Sequence, residues 1–259
     1  DLLKIGGFTQ ALTGVGYPTI LGMYLFTVGT KMTTRAAPRM MVRGFGLLLA
    51  KVGTATVLAE ARFGIPTFGT MAHSFIQSYE DEAEAFEDFA RSRPRNLTIL
   101  IDTYDTEAAA HKVVALGSRL RPEGITIGAV RIDSGDLVAL AKSVRRILDD
   151  GGLPEVSIIA SGGLDEDSAA AMLAAGAPID GFGLGTSLTT SSDVPSLDCA
   201  YKLQEYAGLP RRKRSTGKAT LPGRKQVWRR FGADGRMAGD VMSLETDQQA
   251  GEPLLQPVM

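Results

Sequence analysis

The chain has little of what disulfide-linked, nucleic-acid-binding or zinc proteins need. Cys199 is its only cysteine among 259 residues, which excludes an internal disulfide framework and favours a reducing cytoplasm. The formal net charge is −1, so no overall basic field points to nucleic acid. With two histidines and one cysteine, the sequence offers no structural zinc site, and we assign no residue as a direct metal ligand. We therefore predict a cytoplasmic protein without a nucleic-acid partner.

Charge is also missing from one long stretch, residues 5–30, and basic residues follow it. One interpretation of this pattern is a membrane span that is followed by basic residues. A proline, several glycines and several threonines dilute its hydropathy, which favours buried strands of an incomplete amino-terminal domain. We expect no membrane association, and we interpret residues 1–56 as a divergent or truncated segment.

From residue 96 onward the sequence alternates between strand and helix patterns. Apolar runs begin near residues 97, 126, 156 and 179, and they are apolar throughout, which predicts parallel strands buried on both faces. Polar residues follow four consecutive strands, which favours an α/β barrel over residues 57–205 rather than an open sheet. Residues 206–259 are expected to form a basic strand pair around Pro222 and Gly223, followed by a tail.

Glycine-rich segments end two of the predicted strands, "ASGGLDED" (160–167) and "GFGLGTS" (181–187). Glycine lets backbone N–H groups approach a phosphate closely, and a following helix adds a favourable dipole. Each segment alone is also consistent with a plain tight turn. Two on neighbouring strands favour a ligand that carries a phosphate ester. The candidate phosphate-binding residues are Gly162, Gly163, Gly183, Gly185 and Thr186.

Charged residues follow the other two strands. In "RIDSGDL" (131–137), Arg131 could bind a phosphate or a carboxylate, and Asp133 could bind ribose hydroxyls or Mg²⁺ through water. The alternative is an internal ion pair between Arg131 and Asp133, with Ser134 as a helix N-cap. In "IDTYD" (101–105), Asp102 could orient a histidine, while Asp105 fits an Asx turn.

The histidine that such a carboxylate could serve lies in "GTMAHSFIQ" (69–77). A lone histidine is more often a packing residue than a chemical group, so His73 depends on its surroundings for a role. His111 lies inside an alanine-rich helical pattern, where we expect a solvated or half-buried side chain.

These motifs occur in a fixed order. "GIPTFGTMAHSF", "IDTYDT", "AVRIDSGDL", "ASGGLDE", "GFGLGTSLTTS", "YKLQEYAG" and "KRSTGKATLPGRKQVWRR" together resemble nicotinate phosphoribosyltransferases over roughly residues 57 to 231. The resemblance implies a type II phosphoribosyltransferase with an irregular α/β barrel and an amino-terminal α+β domain, acting as a cytoplasmic homodimer. It further implies transfer of phosphoribose from 5-phosphoribosyl 1-pyrophosphate (PRPP) to nicotinate. That reaction gives nicotinate mononucleotide and pyrophosphate, depends on Mg²⁺, is coupled to ATP hydrolysis and belongs to NAD salvage.

The resemblance also assigns roles to residues. His73 matches the histidine that ATP phosphorylates, Asp102 its carboxylate partner, and Arg131 and Asp133 the residues that hold the ribosyl phosphate. Gly162, Gly163, Gly185 and Thr186 match the loops around the 5′-phosphate. Lys218 and Arg224 are expected near pyrophosphate or ATP. Thr54 is expected near the base, although the chain has "GTAT" (53–56) where the family has "GTSN".

Two alternatives stay open beside this interpretation. The first is a nicotinamide phosphoribosyltransferase, which would use the same site on a different base. The second is a phosphate-binding barrel without catalysis, left by loss of the amino-terminal domain.

Overall fold

The computed structural model describes residues 57–64, 66, 68–95, 97–189 and 200–257, together with the backbone of the strand Leu25–Val28 (β1). Thr54, Cys199 and most of residues 1–56, with the predictions made for that segment, lie outside these residues. No helix in the described part of the chain has the length and apolar composition that a membrane crossing requires.

Among the residues that the structure describes, three helices precede the regular part of the chain. They are Val57–Phe63 (α1), His73–Gln77 (α2) and Glu82–Ser92 (α3). α3 is amphipathic, and Asp81 caps its start, because the Asp81 side chain accepts a hydrogen bond from the backbone N–H of Ala83. Its apolar face is buried, and Phe86 lies fully inside the core.

Four strands and four helices then alternate, which confirms the predicted βα repeat. The strands are Leu97–Leu100 (β2), Ile127–Ile132 (β3), Ser157–Ser161 (β4) and Gly181–Leu184 (β5). The helices are Thr106–Leu120 (α4), Leu137–Asp150 (α5), Glu166–Ala174 (α6) and Thr186–Thr189 (α7). Each strand begins within two residues of its predicted start, because the strand forms where the apolar run begins.

The sheet has the order β1-β5-β4-β3-β2. β2 to β5 are parallel, and β1 pairs antiparallel with β5. The register places Arg131 beside both Leu100 and Ile159, so the carboxyl ends of β2, β3 and β4 lie next to one another. The structure thus confirms an α/β fold with a parallel sheet, while closure into a barrel stays a prediction, as do the boundaries at residues 57 and 205.

An aspartate caps the helix that follows each of β2, β3 and β4. The side chains of Asp105, Asp136 and Asp165 accept hydrogen bonds from backbone N–H groups at the starts of α4, α5 and α6. The interpretation of Ser134 as a helix N-cap is therefore wrong. Asp136 caps α5, and the Ser134 hydroxyl instead donates a hydrogen bond to Asp102.

The two faces of the sheet are packed differently. One face of β3 and β4 is buried beneath the helices, with Val130, Ile132 and Ile158 almost inaccessible to solvent. On the other face, Ala129, Ile159 and Phe68 form a smaller apolar cluster. A cavity of about 300 Å³ opens on that second face at the amino ends of the strands. This cavity lies away from the polar residues that follow the strands.

The carboxyl-terminal part differs from its prediction. Two short strands, Glu205–Tyr206 (β6) and Leu209–Pro210 (β7), pair with each other, and Lys225–Phe231 (β8) pairs with Met237–Leu244 (β9) and Glu252–Pro253 (β10). The expected strand pair around Pro222 and Gly223 is wrong. Residues 211–224 fold back on themselves instead, with the Thr220 N–H donating to the Lys213 carbonyl, and this return brings two lysines to the sheet.

The burial of Phe86 generates a test of the core. Phe86→Ala removes a fully buried aromatic side chain and should lower the free energy of unfolding by about 3–5 kcal/mol. Phe231→Ala is the control, because Phe231 is 51% exposed and its loss should cost less than about 1 kcal/mol. Urea unfolding followed by circular dichroism measures both values. Equal losses would contradict the placement of α3 against the core.

Candidate active site

His73 is the first residue of α2 and is held from two sides. The Thr70 hydroxyl donates to the backbone carbonyl of Thr98 in β2, at 2.7 Å, and this bond ties the segment before α2 to the sheet. Behind the ring, His73 Nδ1 lies 3.0 Å from the hydroxyl oxygen of Thr103, a fully buried residue just after β2. The imidazole Nε2 therefore faces the carboxyl ends of the strands.

Two carboxylates lie close to that nitrogen. His73 Nε2 is 3.8 Å from Asp102 Oδ1 and 3.9 Å from Asp133 Oδ2, so both are near the imidazole without a direct hydrogen bond. Asp102 is almost fully buried and its Oδ2 accepts the Ser134 hydroxyl. Its Oδ1 is a buried oxygen without a hydrogen-bond partner among the described residues, and such an atom is costly unless a ligand or cation satisfies it.

The group in direct contact with the imidazole is Lys213, which sequence reasoning missed. Its Nζ lies 2.7 Å from His73 Nε2 and 3.7 Å from Asp102 Oδ2, and the side chain is 2% exposed. In the sequence this lysine stands in a run of basic residues (211–214), a pattern typical of a solvated loop. The fold alone distinguishes Lys213 from the neighbouring basic residues, because residues 211–224 turn back toward the sheet and bury this side chain.

Lys218 comes to the same place from the end of that return. Its ammonium donates to Asp133 Oδ2 at 2.9 Å and to the Asp133 backbone carbonyl, while Asp133 Oδ1 accepts the Ser161 hydroxyl at 2.8 Å. Gly162 leaves room for this contact. A Cβ there would lie 2.1 Å from the Asp133 carbonyl oxygen and 2.6 Å from Lys218 Nζ.

The environment shifts the protonation equilibria of this cluster. Burial lowers the pKa of His73, and this effect outweighs the nearby carboxylates of Asp133 and Asp102, which raise it. Burial likewise lowers the pKa of Lys213. Burial raises the pKa of Asp133, but its hydrogen-bonding neighbours, among them Lys218 and Ser161, lower it by more, and the net pKa is well below the ordinary value. The site therefore favours a neutral imidazole beside an ionised Asp133.

The remaining predicted site residues lie in or just after β3, β4 and β5, with the exception of Arg224. Arg131 is half-buried in β3, two residues before Asp133, and Gly183 is paired with Ser161 across β4 and β5. Gly163 has a φ of +74°, Gly185 follows β5, and Thr186 begins α7. Arg224 is not part of the cluster, because it is exposed and its Nε lies 3.1 Å from Glu245 Oε2 in the carboxyl-terminal sheet.

Chemically, the cluster offers a nucleophilic nitrogen, two carboxylates and two ammonium groups at one edge of a parallel sheet. One ligand atom each from His73, Asp102 and Asp133 lies within 4.8 Å of the others, close enough to share a cation. Together with the glycine loops after β4 and β5, this arrangement is typical of an α/β protein that acts on a phosphorylated ligand.

Comparison with known proteins specifies the class further. The family described as "Nicotinate phosphoribosyltransferase (NAPRTase) family" matches residues 30–208. This match covers well over half of the chain and includes every site residue from His73 to Thr186, so the chain belongs to the nicotinate phosphoribosyltransferase family.

Two relatives illustrate the similarity. The chain is 49% identical over 212 residues to nicotinate phosphoribosyltransferase pncB2 of Mycobacterium tuberculosis, an alignment that covers 82% of this chain and 45% of the relative. It is 34% identical over 258 residues to the nicotinate phosphoribosyltransferase of Bacillus subtilis, covering 95% of this chain and 52% of that protein. The chain thus spans about half the length of these relatives.

Two solved structures support the fold. The crystal structure of nicotinate phosphoribosyltransferase from Vibrio cholerae superposes with a TM-score of 0.56 at 21% identity, covering 74% of this chain and 50% of the other. The Porphyromonas gingivalis enzyme of the same name gives a TM-score of 0.53 at 22% identity, with coverages of 71% and 52%. At these identities the likeness concerns the fold.

Gly162 offers a test of the site geometry. Gly162→Ala should destabilise the protein by about 2 kcal/mol or more, because its φ of +102° disfavours a side chain and the new Cβ would collide with the Asp133 carbonyl. Gly163→Ala is the control, since its φ is also positive but nothing lies within 4 Å of its Cβ; it should cost about 1 kcal/mol. Urea midpoints compare the two. A Gly162 variant no worse than the control would rule out the close approach.

The contacts of Asp133 predict a pH-dependent contribution to stability. A depressed pKa in the folded state gives stabilisation that is present above the ordinary value of 3.8 and is lost as pH falls below it. Asp133→Asn should therefore lower the free energy of unfolding by about 2 kcal/mol at pH 7, and the difference from the native chain should shrink by pH 3. Urea titrations at several pH values measure this, with Asp150→Asn, at the exposed end of α5, as the control. A constant difference across pH would contradict the assignment.

Proposed function

We propose that this chain carries the phosphoribosyl-transfer centre of a nicotinate phosphoribosyltransferase, an enzyme that joins nicotinate to PRPP and releases nicotinate mononucleotide and pyrophosphate. The observation that carries the proposal is the cluster around His73 at the carboxyl ends of β2, β3 and β4, beside two glycine loops. Membership of the family supports the substrates, since the relatives are named for this activity.

The reaction needs charge stabilisation more than it needs a strong base. Displacement of pyrophosphate at the anomeric carbon develops positive charge on the sugar and negative charge on the leaving group. Lys218, held over Gly162 by Asp133, provides a cation next to the loops proposed to bind the 5′-phosphate. We assign Arg131 and Asp133 to the ribosyl phosphate and Gly162, Gly163, Gly183, Gly185 and Thr186 to the phosphate ester.

We further propose that ATP is coupled to the transfer through His73. A neutral imidazole nitrogen can accept a phosphoryl group and pass it on, and burial lowers the pKa of His73, which keeps the ring neutral. The carboxylate of Asp102, 3.8 Å from Nε2, stabilises the positive charge that develops on the ring during attack. An enzyme can in this way use ATP for a displacement in which ATP does not itself take part.

Mg²⁺ fits the carboxylates of this site. Asp102 Oδ1 is buried without a hydrogen-bond partner among the residues that the structure describes, and Mg²⁺ prefers carboxylate and water oxygens. We propose that Asp102 and Asp133 hold the ion, in part through water. When bound, it would neutralise phosphate charge on PRPP and ATP.

The remaining parts of the proposal concern the whole protein. We propose a cytoplasmic homodimer that acts in NAD salvage, with an irregular barrel over residues 57–205 and an amino-terminal domain that supplies base recognition through Thr54 and its neighbours. A nicotinamide-using enzyme and a non-catalytic phosphate-binding remnant are the competing functions.

One set of assays separates these functions. The purified chain is mixed with PRPP, Mg²⁺ and ATP and with either nicotinate or nicotinamide, and the mononucleotide product is quantified. Product from nicotinate supports the proposal, and product from nicotinamide alone supports the first competitor. Binding of PRPP without any product or pyrophosphate release supports the non-catalytic remnant and overturns the proposal for this chain.

His73 is the decisive residue for coupling. His73→Ala should abolish the stimulation of product formation by ATP while leaving some ATP-independent transfer, because the phosphoryl acceptor is lost but the phosphate-binding loops remain. His111→Ala is the matched control, since His111 is exposed on α4. Product formation with and without ATP is measured for each. Full ATP stimulation in the His73 variant would overturn the role given to this residue.

A further inference from the structure

Lys213 is a buried cation that the reaction as described above does not use. Only 1% of the residue is exposed, and its nearest described carboxylate oxygen, Asp102 Oδ2, is 3.7 Å away. An ammonium group at this depth is costly unless its protons are satisfied. Its close hydrogen-bond partner is His73 Nε2 at 2.7 Å, so the position of Lys213 is tied to the imidazole.

This contact determines where the imidazole carries its proton. The 2.7 Å contact fits either direction. With Lys213 as an ammonium group, which has three donors and no acceptor, Nε2 is the acceptor and presents a lone pair. The single proton of the neutral ring then lies on Nδ1. There it meets the Thr103 hydroxyl oxygen at 3.0 Å, which can accept it. The two contacts are consistent with one tautomer.

The two carboxylates near His73 would by themselves favour the opposite tautomer. The carboxylates of Asp102 and Asp133 lie 3.8 and 3.9 Å from the same nitrogen. Carboxylates attract a proton, and without Lys213 they would favour the tautomer that carries it on Nε2. That tautomer has no lone pair on the nitrogen that faces the site, and it could not attack phosphorus from there.

We propose that Lys213 is the positioning residue of His73: it holds the ring as the Nδ1–H tautomer and, as a phosphoryl group arrives, transfers its hydrogen bond from the Nε2 lone pair to a phosphoryl oxygen. This inference rests on the proposed phosphorylation of His73 and adds the attacking atom and the residue that presents it. Lys213 acts through the histidine and through the transferred group.

The step balances without a proton transfer. The Nε2 lone pair forms the bond to the γ-phosphorus of ATP, and the bond from that phosphorus to the bridging oxygen breaks, with its electron pair leaving on ADP. Nδ1 keeps its proton and Lys213 keeps its three. The phosphoryl oxygens of the adduct lie next to Nε2, where the ammonium already is, so the hydrogen bond changes acceptor over a short distance.

The first test is spectroscopic and independent of turnover. The chain contains only two histidines, so ¹⁵N-labelled imidazole signals of His73 and His111 can be assigned with one variant. We expect Nε2 of His73 to give an unprotonated signal in the native chain and a protonated one in Lys213→Met, with the signals of His111 unchanged. A native His73 protonated on Nε2, or a tautomer that survives the substitution, would overturn the inference.

The second test measures phosphoryl transfer. With ATP labelled at the γ-phosphate, Lys213→Met should form phosphohistidine about 100-fold more slowly than the native chain, and Lys213→Arg should recover part of the rate because it restores the donor. Lys225→Met is the control, since Lys225 lies in β8 and donates to nearby backbone carbonyls. Circular dichroism confirms folding, and Lys213→Arg serves alone if the methionine variant does not fold.

The outcomes distinguish a failure of the role given to Lys213 from a failure of the proposed phosphorylation of His73. Label on His73 that forms at an unchanged rate in Lys213→Met overturns the role of Lys213 and leaves the phosphohistidine standing. Label on Nδ1 rather than Nε2 also overturns it. If the native chain takes up no label, the proposed phosphohistidine fails, and the transfer part of the inference fails with it.

Discussion

The parallel hydrogen-bonding ladders between β2, β3 and β4 are the constraint on which the site depends. Their register sets Arg131 beside Leu100 and Ile159, and therefore sets the residues after each strand side by side. Asp102, Asp133 and Ser161 come from three separate strand ends yet lie within reach of one imidazole or of one another. The buried faces of the same strands hold this register against slippage, because a shift of one residue would expose the core.

Charge balance is the second constraint, and it links the sheet to the carboxyl-terminal segment. Two carboxylates near one partly buried imidazole would repel each other strongly if they were alone. Lys213 and Lys218 bring two positive charges to them from the return of residues 211–224. The segment after β7 thus supplies the two cations of the site, while the βα units supply its carboxylates. The βα units alone would therefore leave these carboxylates without their lysine partners.

Much of this could be predicted from the sequence because the signals are local. Apolar runs predicted the four parallel strands. The polar residues after each strand gave Asp102, Asp133 and Gly162, since parallel strands bring their carboxyl ends to one edge. The position of His73 beside them came from the order of the motifs and not from composition or spacing, because the chain between His73 and Asp102 includes a helix.

The parts that could not be predicted depend on contacts between residues far apart in the sequence. Ser134 has the sequence of a helix cap, but Gly135, with a φ of +84°, turns the chain so that Asp136 caps α5 and Ser134 reaches Asp102 instead. Lys213 is 140 residues from His73, and nothing in a run of basic residues shows which of them is buried. A lysine becomes informative only when its burial is known, because a buried ammonium group whose carboxylate partner lies 3.7 Å away needs a closer acceptor as well. At this site that acceptor is the nitrogen on which the proposed chemistry depends.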